Sequence, residues 1–143
     1  MAVSLAGYQR VLIGMLVQPA SATGVARGEF AESDLTDLER ERLRAAAGDP
    51  GVALTRRLHE GWRLTKLLTL LPLTFDVADD DVLADHVASF WAQRPPTSLY
   101  FEDEAAAFAR QVAQAAPPGS LLRFAAEHEA DQLATGLHDV GPA

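Results

Sequence analysis

The chain has 143 residues, no cysteine, and 20 acidic against 12 basic side chains, for a formal net charge of −8. That length suits one domain with a single buried core, and the missing thiols exclude disulfides, thiolate catalysis and cysteine-based zinc sites. The excess of carboxylates repels a phosphate backbone unless the basic residues cluster, so nucleic acid is a poor default partner.

Leu5, Tyr8, Leu12, Met15 and Leu16 recur at helical spacing. They predict an amphipathic helix over 4–18 that ends before Pro19, since proline disfavours helical geometry in the residue before it. The apolar run Val11 to Val17, followed by Ala20-Ser21-Ala22, has the outline of a secretory signal, but its basic leading segment is nearly absent. The helix is the preferred reading, and a cytoplasmic location is expected. Residues 19–30 are rich in glycine and small side chains and are expected to form a mobile loop. Thr36 and Glu39 have the spacing of a capping box, and Leu35, Leu38 and Leu43 give the next helix a narrow apolar stripe before Gly48 closes it.

Asp49-Pro50 places a cap and then proline at the first helical position, where the lost N–H costs nothing. Val52, Leu58, Trp62, Thr65, Leu68 and Leu71 mark the long helix that follows. Leu54, Leu64, Leu67 and Leu70 widen its stripe until the second half is apolar nearly all round, the pattern of a central, buried helix with Trp62 in the core. Arg56, Arg57, Arg63 and Lys66 fall in its first half. They are read either as snorkelling charges or as a candidate face for an anion or an acidic partner. Pro72 ends or kinks the helix, and the apolar run from Leu67 to Phe75 is far short of the roughly 20 residues that cross a bilayer. Membrane insertion is therefore not expected.

Asp79-Asp80-Asp81 opens the next helix with negative charge at the positive end of its dipole, and Val82, Leu83, His86, Val87, Phe90 and Trp91 form its stripe. Pro95-Pro96 stops it. A helix through Phe101, Ala105, Phe108 and Val112 follows, and Pro117-Pro118-Gly119-Ser120 leads to the last one, with Leu121, Leu122, Phe124, Ala125, His128 and Leu133 inward and Glu127, Glu129 and Asp131 outward. The whole predicts an all-α, single-domain bundle of five or six helices over residues 1–143, with a frayed tail at 135–143.

No nucleophile elbow, phosphate-binding glycine loop, dinucleotide fingerprint or HExxH sequence occurs. His59-Glu60, and Glu127-His128-Glu129 with Asp131, do not supply a ligand set on shared helix faces. The residues assign no catalytic, cofactor-binding or metal-ligating group to this chain.

The order of features carries a resemblance. An early Leu5-x-x-Tyr8-Gln9 helix ends at Pro19, and a long helix runs into Leu71-Pro72. Phe90-Trp91 and Arg94-Pro95 precede an aromatic segment, Asp103-Glu104 leads to Phe108, and Leu121-Leu122-x-Phe124-Ala125-x-x-x-Glu129 closes the series. This resembles the N-terminal helical module of HvfC/MbnC/TglI-type accessory proteins. The resemblance implies a non-catalytic subunit that docks on a multinuclear iron enzyme built on a TIM barrel and helps present a cysteine-containing ribosomal precursor peptide for oxidative modification. Iron would then belong to the partner, with no cofactor in this chain, and the precursor peptide would be met through the complex. The charge-poor aromatic corner Arg94, Pro95, Leu99, Tyr100, Phe101 and Asp103 is the candidate docking surface. Two other classes compete: a helical DNA-binding regulator, which needs basic residues on an exposed recognition helix, and a stand-alone small-ligand-binding domain.

Overall fold

Proline governs where helices start in this chain as much as where they stop. A computed structural model describes residues 5–93 and 101–136. These residues are all-helical, forming α1 (Leu5–Val17), α2 (Pro19–Ala26), α3 (Asp37–Ala47), α4 (Pro50–Leu70), α5 (Pro72–Val77), α6 (Asp80–Gln93), α7 (Phe101–Ala115) and α8 (Leu121–Thr135). The all-α class holds, but eight helices among the described residues replace the expected five or six. The two additional ones, α2 and α5, both begin with proline. A proline that stops one helix has the backbone angle and the missing donor that suit the first position of another. Hence most of the 19–30 segment, expected as a loop, is α2. Residues 137–143 of the expected frayed tail lie outside the described residues.

The sequence reading expects one domain; the packing groups the chain into two compact units, Met1–Trp62 and Arg63–Ala143, each with its own core. In the first, Met15, Ala22, Val25, Leu35 and Leu43 are buried together, with Tyr8, Leu12 and Phe30 against them. The capping box at α3 is present: the Thr36 N–H donates to Glu39 Oε2 at 2.7 Å, and the Glu39 N–H donates to Thr36 Oγ1 at 3.3 Å. The end of α2 is closed by a Schellman pair, Glu29 N–H to the Gly24 carbonyl and Gly28 N–H to the Val25 carbonyl, both 2.9 Å. This turn needs φ of 86° at Gly28, a conformation that a β-carbon opposes. Phe30 then lies beside two guanidinium groups, of Arg40 at 5.6 Å and Arg44 at 5.5 Å, so part of the charged α3 face packs on an aromatic ring.

The second unit is organised by α7 against α8. Ala105, Ala106, Ala109 and Ala113 of α7 and Ala125, Ala126 and Ala130 of α8 are buried, and their small side chains let the helices approach closely. Phe108 is fully buried, with the Phe90 ring edge-on at 5.4 Å and the Phe75 ring tilted at 6.0 Å.

Two expectations about packing are corrected. In α4 only Arg63 and Leu67 are buried, while Trp62 is 49% exposed and Leu68 45%. The helix is not a central one, because leucines on all sides include some that no neighbour covers. In α8 the expected inward residues Leu121 and Phe124 are exposed, whereas Glu129, expected outside, is buried. The alanine face fits the close approach of α7, and Glu129 has an interior task.

That task is to cap α5. Its Oε1 accepts the Leu73 N–H at 2.7 Å, and its Oε2 accepts the Thr74 N–H at 2.9 Å and the Thr74 hydroxyl at 2.6 Å. A buried carboxylate is stabilised there by charge-assisted bonds and by the positive end of the helix. Glu129→Ala should cost on the order of 3 kcal/mol, because it leaves two amides and a hydroxyl without an acceptor. Chemical denaturation would check this, with Leu121→Ala, at an exposed position of the same helix, as the near-neutral comparison. Gly28→Ala should cost about 1–2 kcal/mol by the same measurement, since alanine is strained at a positive φ.

Candidate functional site

Trp91 follows Phe90 in α6, and adjacent helix positions lie about 100° apart, so the two rings face different ways. Phe90 enters the core, and Trp91 forms the wall of a groove. The other walls are Leu64 and Leu68 of α4, Phe75 of α5, and Leu83, Ala84, Val87 and Ala88 of α6, with Asp80 at the rim. The space is about 440 Å³, open to solvent and mostly apolar. It is within the usual size of a ligand or side-chain pocket.

Charge is held beside this groove but neutralised. Arg63 is 3% exposed, and its Nε donates to Glu104 Oε1 at 2.8 Å, with a second, shorter bond from Nη2 to the same oxygen. Its guanidinium also lies over the Trp91 ring, 4.8 Å from the centroid. Arg63 therefore ties α4, α6 and α7 together and orients one wall of the groove. The buried Trp91 Nε1 has no hydrogen-bond partner among the described residues. A buried indole N–H normally finds an acceptor, so this wall has unused donor capacity.

The first unit has its own cleft of about 610 Å³, lined by Gly14, Ser21, Gly24, Arg10, Glu29, Phe30 and Glu32 among others. Arg10 makes a two-bond ion pair with Glu32, at 2.9 and 3.0 Å. The bond to Glu32 and then its charge raise the Arg10 pKa above its ordinary value. The group is exposed and arginine is cationic at any ordinary pH, so no titration follows.

The residues singled out from the sequence are dispersed. Arg94, Pro95, Leu99 and Tyr100 lie outside the described residues. Phe101 and Asp103 stand in the first turn of α7, Asp103 exposed and the Phe101 ring 5.6 Å from Lys66 Nζ. Arg56 Nη1 reaches the Met15 carbonyl at 3.5 Å, and Arg57 is exposed. Arg63 is a correction: paired with Glu104 and buried, it offers no charge to an outside anion. The groove itself was not foreseen, because Val87, Phe90 and Trp91 read as one core stripe. The adjacent aromatic pair was the available signal that one ring must face elsewhere.

Among the described residues no three histidine or carboxylate side chains come together in a metal-binding group, and no helix is long and apolar enough to cross a membrane. Comparison with protein-family models, with curated proteins and with solved structures finds no match.

Removing one partner of a buried ion pair leaves the other charge uncompensated. Glu104→Ala should therefore destabilise the second unit by about 3–5 kcal/mol, whereas Arg63→Met with Glu104→Leu should recover much of that loss. Urea denaturation of the single and double variants would test both statements. A double variant no more stable than Glu104→Ala would show that the geometry, and not the stranded charge, matters.

Proposed function

We propose that this chain is a non-catalytic accessory subunit that docks on a multinuclear iron enzyme of the TIM-barrel type and helps present a cysteine-containing ribosomal precursor peptide for oxidative modification. The open apolar groove between α4, α5 and α6, with Trp91 as one wall, is the observation that carries the docking role. Such a groove accepts apolar side chains from a partner, and a tryptophan backed by a fixed guanidinium is a rigid anchor of the kind that concentrates binding energy. The order of the sequence features supports the choice of partner. Asp103, exposed at the entry to α7, and Lys66 remain candidate contacts at its edge. Iron belongs to the partner in this reading, and the peptide is met through the complex.

A second reading, a small-ligand-binding domain, is favoured by the same groove, whose volume suits a compact apolar molecule.

Co-expression of the untagged chain with a tagged copy of the iron enzyme encoded beside it, followed by size-exclusion chromatography, tests the first reading. Co-elution in a fixed ratio is expected, with iron in the complex and none held by this chain alone. Ala88→Glu places a charge at an exposed groove position, so it should keep the melting temperature and abolish co-elution. Clean separation of the wild-type proteins overturns the accessory role, and a small molecule found by mass spectrometry in the purified chain would favour the second reading.

A further inference from the structure

The groove beside Trp91 has a charged edge of uniform sign. From Leu67 to Gln93 the sequence holds five aspartates and no lysine or arginine. Asp80 contributes to the lining of the groove, and Ala84 and Ala88 are exposed positions of the same lining. Residues three and four apart are neighbours on a helix surface, so Asp80 and Asp81 stand beside Ala84, and Asp85 stands beside Ala88. All three carboxylates are exposed, and none makes an ion pair among the described residues. The positive end of α6 offsets only about half a unit charge of the three.

The described cations of the second unit are engaged or turned elsewhere. Arg63 is paired with Glu104, and Arg123 with Glu127. Lys66, two residues from both Leu64 and Leu68, points about 160° away from them round α4 and lies by the Phe101 ring. His86, two residues from both alanines, is turned from them in the same way. Arg110 lines a separate depression with Ser89 and Gln93. The groove thus joins apolar walls to an acidic edge, and that edge selects the occupant. Asp81 and Asp85 are about one helical turn apart, the spacing at which basic side chains recur along a partner helix. From Asp80 to Trp91 the α6 wall extends about 16 Å, or roughly three turns, and the two exposed alanines let another backbone come close.

We propose that the groove seats an amphipathic helix of a partner protein, with aliphatic side chains against Leu68 and Trp91 and lysine or arginine along the edge that meets Asp80, Asp81 and Asp85. The proposal deepens the docking role and rests on the groove being the docking surface; it adds the chemistry of what docks.

Two synthetic peptides of about 18 residues, sharing one leucine stripe and edged by lysine or by glutamate, are titrated into the full chain at low salt and followed by fluorescence anisotropy. The lysine-edged peptide should bind about tenfold tighter than the glutamate-edged one, and about 0.5 M salt should reduce that preference to less than about threefold. Asp81→Lys combined with Asp85→Lys should reverse the preference. Ala84→Gln combined with Ala88→Gln adds polar bulk without charge at exposed helix positions, so it should keep the melting temperature and abolish binding of both peptides. Absence of binding, equal affinity for the two peptides, or binding indifferent to the paired glutamines overturns the proposal. So does a dimer of the chain that the paired glutamines dissociate, since the groove would then belong to a second copy. Lysine-preferring binding without co-elution of the iron enzyme supports this proposal and removes only that partner. Co-elution without peptide binding overturns this proposal and leaves the accessory role in place.

Discussion

The second unit depends on the carboxylate of Glu129. A helix beginning inside a protein must find acceptors for its first amides, and α5 begins with Pro72, which already removes one donor. Glu129 supplies acceptors for the next two and for the Thr74 hydroxyl. Once that side chain must point inward, the rotation of α8 is set. Its inward face then carries Ala125, Ala126, Ala130 and Leu133, while Leu121 and Phe124 are left outside. The small residues in turn permit the close contact with α7 that surrounds Phe108.

A second constraint shapes the surface that this core presents. Arg63 would be costly to bury alone, and it is stabilised by Glu104 on one side and by the Trp91 ring on another. The pair fixes Trp91 as a wall and leaves Leu64, Leu68, Phe75, Leu83 and Val87 lining an open groove. The stability of the unit and the shape of the groove are thus linked through one residue: the arginine that helps hold three helices together also fixes the tryptophan of the groove wall.

Much of the helical framework was legible along the chain. Helical spacing from Leu5 to Leu16, the Thr36–Glu39 capping box, Asp49-Pro50, the acidic opening of α6 and the break at Pro117-Pro118 each mark a boundary by local chemistry. The short helices were harder, because Pro19 and Pro72 signal a stop and a start with the same residue. Of the site, the sequence showed the aromatic pair Phe90-Trp91 and the basic run in α4, but not which ring or which arginine would be buried.

What the sequence determined by itself is therefore the helical class and most helix ends, since propensity, caps and prolines act within a few residues. Which face of each helix is covered was decided only by tertiary structure. Glu129 reads as a surface residue until Leu73 and Thr74 arrive from more than fifty positions away, and Arg63 reads as an anion site until Glu104 pairs with it from 41 positions away. Such pairings join residues distant in sequence, and a buried charge is tolerated only when its partner is in place.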